Sequence, residues 1–172
     1  MNKILGAAAA ALSAVLLLTG CPSQPIDEQE PASDVEERAG ADTSGAVRRS
    51  GGYTAADLND PSSPLYQRVI YFEYDNSDIQ PQFIDILRAH ASYLSSNSGA
   101  LVTLEGHTDE RGTREYNLAL GDFRADTVRR YLVAEGAPDG QIRAMSYGEE
   151  RPADPGHSES AWALNRRVEL VY

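Results

Sequence analysis

The sequence predicts an α+β domain over residues 65–172, a two-layer α/β sandwich with helices packed on a mixed four-stranded sheet. Three observations carry that prediction. Of the 13 aromatic residues, 12 lie at or beyond position 65, so the material for a core is confined to the C-terminal part of the chain. Within that part, short β-branched and aromatic runs alternate with stretches in which apolar residues recur at helical spacing. Turn and cap residues punctuate every change from one pattern to the other.

The order of segments begins with residues 1–20, which read as an export signal. Lys3 gives a small positive start, and residues 4–18 form an apolar run too short for the about 20 residues of a membrane span. A buried core helix is the plainer alternative, and the flanks count against it. Leu18-Thr19-Gly20-Cys21 then resembles the lipobox of bacterial lipoproteins, which implies cleavage before Cys21 and lipidation of that residue. Cys21 is the chain's only cysteine, so no internal disulfide exists, and a lipid-linked sulfur accounts for an otherwise unpaired thiol. Several acyl chains moor a protein without crossing the bilayer, because each buried methylene contributes about 0.8 kcal/mol. By the same resemblance, Pro22 rather than Asp after the cysteine implies delivery to the outer membrane. Residues 21–64 follow as a lipidated N-terminus and disordered tether rich in Pro, Ser, Asp, Glu and Ala, with Tyr53 its only aromatic residue.

From residue 65 the elements are predicted in turn. Residues 66–72 form a strand, and the turn formers Asp75 to Asp78 lead to Pro81 at a helix start. Ile84, Leu87, Ala91 and Leu94 define the buried stripe of a helix over 81–95, ended by Asn97 and Gly99. Residues 101–105 make a second strand broken by Gly106. Ala125, Val128 and Leu132 mark a helix over 122–135, closed by Gly136 and Pro138. Strands over 142–147 and 168–172, with a short helix over 160–164 between them, complete the pattern. His90 and His157 have no motif around them and are assigned to the surface. Arg166 and Arg167 are candidates for structural ion pairs.

Composition narrows the function. The net charge is -11, with 26 acidic against 15 basic residues, so the chain lacks the cationic excess needed to displace counterions from nucleic acid. Lys3 is the sole lysine, and its place in the signal leaves no lysine for Schiff-base chemistry. His107, Asp109 and Glu110 are too close together in one loop to face a single metal ion, and no HExxH or paired-cysteine motif accompanies them. No G-x-S-x-G elbow is present either. Neither a catalytic set, nor a metal, nor a cofactor is expected.

The loop after the second strand is the informative segment, since ligands of open sheets bind at strand carboxyl ends. Glu105-Gly106-His107-Thr108-Asp109, with Gly112, Tyr116-Asn117, Leu120, Arg124-Ala125 and Val128, resembles the peptidoglycan-binding signature of the OmpA-like family. Tyr71 to Asp75 upstream, and Ser146 to Glu149 with Asn165 to Glu169 downstream, extend the resemblance over essentially all of 65–172. Barrel strands and a membrane helix are both missing from the reading, so the lipobox favours the lipoprotein branch of the family.

That resemblance implies a non-enzymatic domain that grips the meso-diaminopimelate stem peptide of peptidoglycan. The free end of that residue is a zwitterion. Asp109 would receive its ammonium and Arg124 would pair bidentately with its carboxylate. Tyr74, Asp75, Asn117 and Leu120 would line the same site, while Phe123 replaces an Arg frequent in the family. Read without the motif, Asp109 is a turn former or helix cap, and Arg124 a surface residue. The branch further implies Tol proteins such as TolB and TolA as partners, in envelope integrity and constriction at cell division. A wall-binding lipoprotein without Tol partners and a peptidoglycan-modifying enzyme are the competing readings.

Overall fold

The computed structural model describes residues 52–172; the signal, the lipobox and Cys21, and the tether up to residue 51 lie outside the described residues. Four strands and three helices follow one another as β1 (Val69–Tyr71), α1 (Ile84–Ser96), β2 (Val102–His107), α2 (Arg114–Ala134), β3 (Ile142–Gly148), α3 (Glu159–Asn165) and β4 (Arg167–Val171). The sheet runs in the order β1-β4-β2-β3. β2 and β3 are parallel, while β4 is antiparallel to both β1 and β2. The predicted α+β class and mixed four-stranded sheet are therefore observed.

Packing follows from the alternation of side chains along the strands. Ile70, Val102, Leu104, Ile142, Val168 and Leu170 join Leu87, Ala91 and Leu94 of α1 and Ala125, Val128 and Leu132 of α2 in one core. The strand residues between them, Thr103, Glu105, Arg143, Met145 and Glu169, lie on the other face of the sheet and keep some exposure.

The structure departs from the predicted boundaries in informative ways. α2 begins at Arg114, eight residues before the predicted start at 122. Its first turns carry no amphipathic stripe, and Gly121 in their midst argues against a helix. Thr113 supplies the missing start signal by accepting a hydrogen bond from the Tyr116 N–H at 3.2 Å. Gly121 is there for contact, because a Cβ placed on Gly106 of β2 would lie 1.9 Å from the Gly121 carbonyl oxygen. The same contact explains why β2 continues through Gly106 instead of breaking there. Residues 53–64, assigned by composition to the tether, include Leu58 in the core and Tyr53 against it. There the Asn97 amide at the end of α1 donates to the Tyr53 carbonyl at 3.0 Å.

His90 is also corrected: it is fully buried, with Nδ1 2.7 Å from the Tyr172 hydroxyl and Nε2 3.0 Å from the Gln67 carbonyl. The Gln67 carbonyl can only accept, so Nε2 carries the proton and donates, and in the neutral ring that burial favours Nδ1 accepts from the Tyr172 hydroxyl. Burial lowers its pKa to about 4. His157 stands at the surface as predicted, with its ring beside the Glu110 carboxylate.

Candidate functional site

The topology brings three loops to one end of the sheet. β1 and β3 both run in the direction of β2, so the segments that follow all three strands emerge together, and β4 enters at the same end. There the loops after β1 and β2, with the first half of α2, surround an open cavity of roughly 410 Å³, counting the part open to solvent. The six residues singled out by the sequence for stem-peptide binding, Tyr74, Asp75, Asp109, Asn117, Leu120 and Arg124, all line it. Thr108, Arg111, Gly112 and Tyr116 line it too, and the sequence reading gave none of these a role in the site.

Arg124 forms the buried wall. It projects from the middle of α2, fully buried, and each of its nitrogens donates to a main-chain carbonyl: Nε to Asn76 at 2.8 Å, Nη1 to His107 at 2.9 Å and Nη2 to Glu73 at 3.0 Å. One guanidinium thus ties the loop after β1 to the end of β2. Three bonds leave two of its N–H groups for other acceptors. Burial, and then the nearby Arg166 charge, push its pKa down to about 10, so it stays a cation at neutral pH.

Asp109 is nearly as buried but more heavily engaged. Its Oδ1 accepts from the Arg111 main-chain N–H at 3.0 Å and from Arg111 Nε at 3.2 Å. Its Oδ2 accepts from Arg111 Nη2 at 2.7 Å and from Arg166 Nη1 at 3.2 Å. Burial alone would raise its pKa, but the bonds from Arg111, with Arg166 behind them, outweigh that and hold it below the usual carboxylate range. Arg166 is itself fixed by Glu159 at 2.8 Å and by the Phe72 carbonyl at 3.2 Å.

Asp75 differs. It takes a positive φ of 51° in the loop after β1, is exposed, and its carboxylate accepts from the Tyr116 hydroxyl, with the Arg124 charge within electrostatic reach. Thr108 Oγ1 is buried in the cavity wall without a hydrogen-bond partner. Asn117 is held by its amide on Glu149. The residues that sequence reasoning missed carried only weak signals: Tyr116 and Gly112 belong to the quoted motif, whereas Arg111 takes its surroundings from Tyr74 and Trp162, which no local pattern reveals.

Among the described residues no helix is long and apolar enough to cross a membrane. The OmpA family model matches residues 71–166. A peptidoglycan-associated lipoprotein of Pseudomonas aeruginosa is 44% identical over 96% of this chain and 95% of its own length. One from Haemophilus influenzae is 47% identical over 74% of this chain and 80% of its own length. The crystal structure of the Burkholderia pseudomallei peptidoglycan-associated lipoprotein matches with a TM-score of 0.66 at 50% identity, covering 67% of this chain and 98% of that one. The chain therefore belongs to the OmpA family, alongside the peptidoglycan-associated lipoproteins.

Proposed function

We propose that this protein is a wall anchor: a lipoprotein held to the outer membrane through Cys21 whose periplasmic domain binds, without cleaving, the meso-diaminopimelate stem peptide of peptidoglycan. The observation that carries this reading is the cavity itself, which places carboxylates and a guanidinium with spare donors around one small space, next to an unpartnered buried hydroxyl. A zwitterion fits that set: its ammonium on the Asp75 and Asp109 side, its carboxylate toward Arg124, with Tyr74, Asn117 and Leu120 packing on its stem. The names of the relatives support association with peptidoglycan, and the kinship makes the Tol proteins, TolB and TolA among them, the protein partners to seek by co-purification.

Calorimetric titration of the purified protein with a stem peptide ending in meso-diaminopimelate, beside the lysine analogue, tests the reading. Saturable binding that needs the diaminopimelate carboxylate, weakened by Asp75→Asn and Asp109→Asn in proteins that still fold, is the expected result. Equal affinity for both peptides would reject the zwitterion, and release of wall fragments during incubation would reject a pure binder.

A further inference from the structure

Arg111 occupies an unusual position for a residue outside the predicted site. Its guanidinium lies between two rings, 4.0 Å from the centre of Tyr74 and 4.2 Å from that of Trp162. Its Nε–Nη2 edge meets the Asp109 carboxylate, and Nη1 reaches Glu159 at 3.3 Å. A carboxylate offers about four acceptor positions, and Asp109 has filled all four, three of them with Arg111. An ammonium arriving from solvent therefore finds Asp109 already holding a cation.

Arg111 and Arg166, the two guanidiniums on Asp109, are not held alike. The Arg166 side chain is 6% exposed and is also anchored to a main-chain carbonyl, whereas that of Arg111 is 29% exposed and sits at the rim among partly open rings. Arg111 reaches Asp109 from the open side and its other partners are ring faces and an exposed carboxylate, so it has somewhere to swing, whereas Arg166 is enclosed and tied to the Phe72 carbonyl. Glu159, with 63% of its side chain exposed, offers Arg111 an alternative carboxylate without entering the cavity.

We propose that Arg111 is a stand-in cation that fills the ammonium position of the ligand-free site, and that a ligand's ammonium binds Asp109 by displacing it toward Glu159. This rests on the wall-binding reading and adds a specificity rule: a ligand end without a cation leaves Arg111 in place and meets a closed anion. Trp162, the only tryptophan of the chain, stacks on Arg111 and reports its departure directly.

The test follows Trp162 fluorescence and binding heat together as the diaminopimelate-ended stem peptide is added to the wild type, Arg111→Gln and Arg111→Lys. The emission of the wild type is expected to change in step with the heat. Arg111→Gln, with no competitor to expel, is expected to bind about threefold to tenfold more tightly, with Arg111→Lys between the two. Binding heat with silent Trp162 emission in the wild type, or weaker binding by Arg111→Gln, overturns the stand-in and makes Arg111 a support for Asp109. Absence of heat from the wild type and both variants instead removes the wall-binding reading, and this inference with it.

Discussion

Arg124 and Arg111 line different walls of one cavity, and their surroundings differ in kind. Arg124 rises from the interior of a 21-residue helix, buried, with main-chain carbonyls as its partners. Arg111 belongs to a loop, is partly open to solvent, and leans on side chains that are themselves exposed or half-buried. The same guanidinium is thus a structural tie on one wall and an exchangeable contact on the other. Partners, more than residue type, decide which groups of a site are rigid and which yield to a ligand.

The rigid wall breaks most severely at its closest approach. Gly106→Ala would drive a methyl group into the Gly121 carbonyl, and we expect a loss of more than about 3 kcal/mol, seen as failure to give a cooperative urea transition. Arg124→Ala leaves three carbonyls without their donor, and a loss of about 3 kcal/mol is expected in the same assay, with Arg124→Lys recovering little because an ammonium cannot span the same three acceptors.

Acid gives the next largest effect. Burial holds His90 and His107 near pKa 4, below the about 6.5 of an unfolded histidine. Protons then bind the unfolded chain preferentially, so stability present above about pH 6.5 is lost as pH falls toward 4, by up to about 3 kcal/mol for fully buried His90. Unfolding midpoints at pH 7 and 4.5 should show it, and His90→Gln should shrink the difference. The exchangeable wall should barely register: Arg111→Ala is expected to cost about 1 kcal/mol or less in stability while altering ligand affinity, which places its effect in binding rather than folding. A loss as large as that of Arg124→Ala would erase the contrast between the walls.

Much of this was legible in the sequence because it rests on local patterns. The stripe from Ile84 to Leu94 and the strand over 142–147 follow from periodicity, and the motif around Asp109 led to six residues that share one cavity. His90 could have been read correctly, since it lies on the same helical face as Leu87, Ala91 and Leu94. The first half of α2 could not, because its glycine and polar residues answer to Gly106 and to the cavity rather than to a core. Nor could the setting of Arg111, which depends on rings brought in from the first loop and the last helix. Local pattern gives the elements; contacts between distant residues give the chemistry of the site.

The strand order carries a consequence for how the molecule is made. Among the described residues β4, the last strand in sequence order, lies between β1 and β2, and β1 has no other neighbour in the sheet. A chain that emerges N-terminus first therefore holds its earliest strand unpaired until its last residues appear, and the long-range ladder makes closure slow relative to local helix formation. Under the export proposed above, that delay would be useful: the sheet cannot close before the chain has crossed a membrane.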